Sequence, residues 1–369
     1  MTATGNAGRL AGVAGVDLPA LQRFVEREVP GCAGPLDVRL LLGGRSNLTY
    51  LVTDGTHRWV LRRPPLGTLT PTAHDMDREY RVMAALAETD VPVPRTVLSC
   101  ADESVLGAPF TLVSFVEGAV LRDGERAALL PVEDARRCSE ALVDQLAALH
   151  ALDPYEIGLG GFGRPAGYVA RQVRRWRGQW DRVATRELPE LDVLHEALVR
   201  ALPLARDDGA EPAVLHGDYR LDNVILDAGD PGRIAAIVDW EMAALGDPLA
   251  DLGLLLVYWD PVCEPVLGEG HVPAANPGFL SARELTERYA RRSGRDVSAL
   301  PFHRALGYFK LAVIAEGIHA RHLAGRTVGP GFDRVGSAVP ALLRSGLSVD
   351  LPRTRAVRDE KRHGKGSGE

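Results

Sequence analysis

LHGDYRLDNVILDAGDPGRIAAIVDWE, residues 215–241, decides the reading of this 369-residue chain. Val224-Ile225-Leu226 reads as a short strand, Asp227 to Gly232 as a turn cluster, and Ile234 to Val238 as a second strand. An antiparallel hairpin of this build puts Asn223 just before its first strand and Asp239 just after its second, so both project from one open end. Asp218 lies five residues before Asn223, in the loop that enters the hairpin. Three oxygen-bearing side chains are thereby expected to converge. Asx residues also favour turns, but turn-capping alone does not require this spacing.

Working outward, residues 38–63 read as strands. Val38 to Leu42 runs into the glycine turn Gly43-Gly44, and Leu48 to Thr53 and Trp59 to Arg62 flank the hairpin signal Asp54-Gly55. A helix is expected from about His74 to Ala87, then strands over Thr96 to Ser99 and Phe110 to Val116. Upstream, Asp17 caps a helix through Glu28, with Leu21, Phe24 and Val25 on one face. Glu117-Gly118 reads as a hinge. Beyond it the pattern is helical: 131–150, 165–186, 190–202, 247–258, 281–293 and 301–324, broken by a strand-rich insert over 213–240. The expected organisation is an N-terminal segment and helix (1–37), a strand-rich lobe (38–117), a mainly helical lobe (118–350) and a charged, glycine-containing tail (351–369) expected to be disordered.

Composition narrows the function classes. Hydrophobic residues make up 46% and charged residues 25%, with a net charge of −6. Nothing global favours nucleic acid, so a charged ligand must be held by a local cluster. The four cysteines, Cys32, Cys100, Cys138 and Cys263, form no C-x-x-C pair, which argues against a metal cage or disulfide framework and suits a reducing compartment. MTATGNAGRLAGVAG lacks the build of a secretory leader, and the longest apolar run, Leu252 to Trp259, is too short to span a bilayer. A cytoplasmic protein is expected. The basic residues are almost all arginine: the only lysines are Lys310, Lys361 and Lys365.

Mg²⁺ takes hard oxygen ligands, commonly one or two carboxylates plus substrate phosphates. Asp239 and Asn223 suit it, which leaves Asp218 to accept a proton from an attacking hydroxyl. The order His216-x-Asp218-x₄-Asn223, then Asp239, matches the kinase pattern of base, metal amide and metal carboxylate.

With Gly246-Asp247-Pro248 and Asp251 downstream, this block resembles the signature of the aminoglycoside phosphotransferase (APH-like) family, over roughly residues 38–325. The resemblance implies an α+β, protein-kinase-like two-lobed fold. It also implies γ-phosphoryl transfer from a nucleotide, taken as ATP with Mg²⁺, to a small-molecule hydroxyl. By that resemblance Asp218 is the base, Asn223 and Asp239 hold the metal, His216 braces the loop and Asp251 lies beneath it.

On the nucleotide side, the strand Trp59-Val60-Leu61-Arg62 offers Arg62 where kinases carry lysine, with Glu79 as its partner. The departure matters because arginine is bulkier and forks bidentately. Gly44, Ser46 and Asn47 of the glycine turn could cover phosphates, and the stretch from Ser114 to Val116 would face adenine by resemblance.

On the acceptor side, RQVRRWRGQW (171–180) sets Arg171, Arg174 and Arg175 on one helical face, with Arg177, Trp176 and Trp180 nearby. A solvated face with two packing tryptophans would read the same way. Asp222 and Glu241 are further acceptor-side candidates. NLTYLV, WVLRRPP, TAHDMDREYRV and VPVPR resemble the subgroup of kinase-like domains fused to acyl-CoA dehydrogenases, which implies a hydroxyacyl acceptor, such as a 4-hydroxyacyl-CoA. Aminoglycosides or other small alcohols stay open as acceptors, as does a catalytically weak nucleotide-binding pseudokinase. A protein kinase is disfavoured, because few residues separate Asp239 from Gly246 and no A-P-E motif follows.

Overall fold

The computed structural model describes residues 13–41, 47–66, 75–121, 124–204, 211–268, 273, 276–327 and 331–351. Gly43, Gly44, Arg45 and Ser46 of the glycine turn, residues 1–12 and nearly all of the tail lie outside them. The chain opens with α1 (Leu18–Glu28), whose first turn is capped by the Asp17 carboxylate accepting from the Ala20 amide. Strands β1 (Asp37–Leu40), β2 (Leu48–Thr53) and β3 (Arg58–Arg63) precede α2 (Met76–Leu86). Then come β4 (Thr96–Cys100), α3 (Glu103–Leu106) and β5 (Phe110–Ser114). The five strands form one antiparallel sheet in the order β1-β2-β3-β5-β4. Leu21 and Val25 of α1 pack with Tyr50, Val52, Leu61, Phe110 and Leu112 to form the core of this lobe.

The second lobe contains α4 (Gly124–Leu129), α5 (Val132–Ala151), α6 (Tyr168–Val183) and α7 (Pro189–Ala201). Four short strands follow: β6 (Ala213–Leu215), β7 (Val224–Leu226), β8 (Ile234–Ile237) and β9 (Ala244–Gly246). The chain then forms α8 (Leu249–Tyr258), α9 (Glu264–Leu267), α10 (Ala282–Ser293), α11 (Leu300–Leu323) and α12 (Phe332–Ser348). The architecture is the expected α+β, protein-kinase-like pair of lobes. Strands β7 and β8 make the predicted hairpin. Strand β6 pairs with β9, a long-range contact invisible to local pattern, and clamps the whole 216–243 segment at its base. Helix α12 was not expected, since Pro340 lies inside it and interrupts the helical signal. The expected start of α6 at 165 moves to Tyr168, because Gly167 is left-handed (φ 64°).

The lobes share packing. Val82, Met83 and Leu86 of α2 join Leu142, Leu146, Val224, Ile237 and Trp240 in one apolar cluster. Arg78 of α2 donates to the carbonyls of Phe162 (3.1 Å) and Ala243 (2.8 Å) and lies 3.8 Å from the Phe162 ring centroid. At the connection, Ala119 and Leu226 exchange backbone hydrogen bonds of 2.9 and 2.8 Å. A Cβ on Gly118 would sit 2.2 Å from the Leu226 carbonyl oxygen, so the chain passes this point only as glycine.

Candidate active site

The loop 216–223 is held from below by one carboxylate. Asp251, buried on α8, accepts the amide hydrogens of His216 (2.6 Å) and Gly217 (2.9 Å). Burial alone would raise its carboxyl, but His150, His216 and the Gly217 amide outweigh that and hold it below the usual carboxylate range. The His216 ring accepts from the Asp218 amide at Nδ1 (3.2 Å), so Nε2 carries the hydrogen and donates to the Val238 carbonyl (2.9 Å). One imidazole thus ties the loop to the residue before Asp239. Gly217 is left-handed (φ 82°), and a Cβ there would lie 2.3 Å from the Met242 carbonyl oxygen. Both features require glycine.

Asp218 is well occupied. Asn223 Nδ2 donates to its carbonyl (2.9 Å) and to Oδ2 (3.2 Å), and the Tyr258 hydroxyl donates to Oδ1. Burial, then the Asp218 charge, pushes the Tyr258 phenol well above its ordinary value, so it remains a donor. Arg220 Nε lies 3.9 Å from Asp218 Oδ2, Nη2 lies 3.3 Å from Asp222, and its guanidinium covers the Tyr258 ring at 5.4 Å. Arg220, Asp222 and Tyr258 line a depression beside Asp218, together with Leu221, Trp259, Leu267 and Pro273.

The opposite wall comes from β3 and α2. Arg62 donates to Glu79 and, at 2.9 Å, to Asp239 Oδ1. Burial disfavours the guanidinium charge, but the two carboxylates outweigh it and raise its pKa. Glu79 is the expected partner of Arg62, and the two are in contact. Glu79 sits inside the buried stripe of Met76, Val82, Met83 and Leu86, with Tyr80 half-exposed. Burial pushes the Glu79 carboxyl up, and the Arg62 charge beside it opposes that rise. Asp239 is the one described non-glycine residue with positive φ (φ 69°, ψ 57°). Aspartate tolerates this left-handed conformation better than most side chains.

The remaining sequence candidates separate. Asn47 Nδ2 reaches Glu241 at 3.3 Å, joining the lobes. Gly44 and Ser46 lie outside the described residues. The Ser114 amide donates to the Arg95 carbonyl and its hydroxyl accepts from the Arg95 amide, whereas the Val116 amide has no such bond among the described residues. Arg171 donates to the carbonyls of Arg164 and Ala166, and Arg177 pairs with Asp181 and Asp192. Arg174 and Arg175 are exposed and pair with no carboxylate among the described residues. Sequence reasoning missed Tyr258, Arg220 and Lys310. Arg220 was visible inside the motif, and Tyr258 inside the apolar run. The only cue to Lys310 was its rarity.

Among the described residues no three His, Cys, Asp or Glu side chains form a metal-holding group. The donors fit Mg²⁺ in another way, as one carboxylate (Asp239) and one amide oxygen. The amide nitrogen of Asn223 is turned to Asp218, which leaves its oxygen for a cation. No described helix is long and apolar enough to cross a membrane.

A sheet-rich lobe set over a helical lobe, with this loop in the cleft, is the architecture of the kinase-like phosphotransferase fold. The chain belongs to the phosphotransferase enzyme family APH, whose profile matches residues 37–285. It is 37% identical over 345 residues to acyl-CoA dehydrogenase family member 11 of Gallus gallus, a match covering 90% of this chain and 43% of that protein. The chain therefore spans less than half the length of that relative. A Ralstonia eutropha structure assigned to the aminoglycoside phosphotransferases superposes with a TM-score of 0.77 at 32% identity, covering 89% of this chain and 97% of that one. A thermostable mutant of aminoglycoside phosphotransferase APH(4)-Ia, in complex with ADP and hygromycin B, shares the fold. Its TM-score is 0.56 at 17% identity, covering 89% and 99% of the two chains.

Proposed function

We propose that this chain transfers the γ-phosphoryl group of ATP, with Mg²⁺, to the hydroxyl of an anionic small molecule, with a hydroxyacyl-CoA as the favoured acceptor. The carrying observation is the geometry of the cleft. Asp218 and Asn223 are hydrogen-bonded to each other on one wall, and Asp239 faces Arg62 and Glu79 on the other. Asp218 accepts the acceptor's proton as its oxygen attacks the γ-phosphorus, and Arg62 meets the phosphates. When bound, Mg²⁺ held by Asp239 and Asn223 supplies positive charge against the phosphates. Val116 offers the backbone groups of the connecting segment to adenine.

The acceptor class is supported by charge. Arg174 and Arg175 are exposed on α6 without carboxylate partners among the described residues, and cations there repel a polycationic aminoglycoside while attracting carboxylate or phosphate. The similarity to acyl-CoA dehydrogenase family member 11 supports an acyl-CoA in particular. The test is transfer of a labelled γ-phosphoryl from ATP into a library of hydroxy acids, hydroxyacyl thioesters and aminoglycosides, by wild type and Asp218→Asn. Label should enter a hydroxyacyl product in wild type only. Efficient aminoglycoside labelling overturns the acceptor, and nucleotide binding without transfer to any compound favours a pseudokinase.

A further inference from the structure

Lys310 is the first lysine in the chain, and it lies against the catalytic loop. It projects from α11, and its Nζ donates to the carbonyl of Gly217, the residue before Asp218, at 2.7 Å. The same ammonium lies 5.5 Å from the centroid of the Trp176 ring on α6, and the Arg175 guanidinium lies 5.6 Å from that ring. We propose that Lys310, flanked by Trp176 and Arg175, recognises the acceptor, its ammonium receiving an acyl oxygen of a molecule whose hydroxyl faces Asp218. The inference rests on the reading of Asp218 as the base.

The charge balance carries it. An ammonium has three donors, and Lys310 makes one hydrogen bond among the described residues, to a neutral carbonyl. None of their carboxylates stands within ion-pair distance of it. Burial pushes its pKa down. The charges of Asp218 and Asp251 oppose that from farther away, while Arg175 adds to it. Arg62, by contrast, has two carboxylates in direct contact. A desolvated cation left short of acceptor partners is stabilised by a ligand oxygen. Lys310 as a whole is half-buried rather than fully enclosed. A carboxylate of a free hydroxy acid and the carbonyl of its thioester present the same oxygen chemistry. A protonated amine at that point meets two like charges.

Calorimetry on the full chain with Mg·ADP present separates recognition from simple bracing of the loop. The probes are 4-hydroxypentanoate, its CoA thioester and 1,4-pentanediol, which keeps the skeleton but lacks the acyl oxygen. At least one acyl probe should bind the wild type about 10-fold or more tighter than the diol, the scale of one charged hydrogen bond. Which acyl probe binds identifies the source of the oxygen. Lys310→Met should erase that preference while ADP and diol affinities hold, and Lys310→Arg should recover part of it. Equal weakening of acyl probe and diol, or loss of ADP affinity, makes Lys310 a brace for Gly217 and overturns the proposal. So does a wild type that binds neither acyl probe; in that case the effect of Asp218→Asn on ATP turnover still tests the base separately. Should Lys310→Met fail to fold, Arg175→Gln provides the check. It should weaken the acyl probe by a smaller factor and leave the diol alone, and equal effects on both sink the idea.

Discussion

The two walls of the cleft treat charge in opposite ways. On the nucleotide wall, Arg62 is held by Glu79 and Asp239, so its charge is balanced before any ligand arrives. On the proposed acceptor side, Lys310, Arg174 and Arg175 lack carboxylate partners among the described residues. The difference is what the proposed assignment of nucleotide and acceptor to the two sides requires. A phosphate chain and its metal bring charges of both signs and can exchange with a preformed pair. An acceptor that brings only negative charge needs cations left unpaired. Asp218, on the wall opposite Arg62, has both carboxylate oxygens already bonded, to Tyr258 and Asn223.

The comparison breaks most decisively at Asp218 and Asp239. Asp218→Asn should reduce turnover by about 100-fold or more, the scale of losing a general base, while nucleotide titrations stay near wild type. Turnover close to wild type with a verified acceptor removes Asp218 from that role. Asp239→Ala should abolish the tightening of ATP binding by Mg²⁺, and Asn223→Ala should weaken it less, because a neutral ligand contributes less charge. Unchanged metal dependence in calorimetry of Asp239→Ala would refute the assignment of the metal to this wall.

The floor shared by both walls gives the next effect. Asp251→Ala leaves the His216 and Gly217 amides unpaired, and chemical unfolding should show a loss of about 3 kcal/mol. The pH dependence has a definite sign. The Asp251 carboxyl titrates lower in the folded state than in the unfolded chain, so its stabilisation is complete above the ordinary carboxylate range, near about 4. It is lost as pH falls through the depressed folded value. Wild type should therefore lose stability on acidification more steeply than Asp251→Asn, and parallel acid profiles contradict the role. On the nucleotide wall alone, Arg62→Ala should raise the KM for ATP or lower kcat, and Arg62→Lys should keep more function by retaining a cation on β3. The smallest effect is expected at Arg177, whose charge is offset by Asp181 and Asp192. Arg177→Gln should change stability by less than about 1 kcal/mol and leave acceptor kinetics untouched. A change in acceptor KM there would mean that pairing does not separate the arginines of α6.

Much of the molecule was legible from local order. The strand-turn-strand pattern of 224–238 located the hairpin, and Asp17 and the apolar spacing after it located α1 to the residue. Long-range closure was not legible. The β6–β9 pairing joins segments about thirty residues apart, and α12 is hidden by its internal proline. The helical face of 171–175 predicted shared direction for three arginines but not their partners, so Arg171, which is occupied by two carbonyls, looked the same as Arg175.

The sequence by itself determined the class of chemistry. Asn223 and Asp239 flank one end of the β7–β8 hairpin by spacing alone, with Asp218 five residues before Asn223, and spacing is a local property of the backbone. Tertiary structure alone decided which charges are balanced. The burial of Glu79 follows from α2 packing on Trp240, the Tyr258 hydroxyl reaches Asp218 across forty residues, and Lys310 reaches Gly217 across ninety-three. The pairing of charges depends on distance and desolvation in three dimensions, and neither is written in the order of residues along the chain.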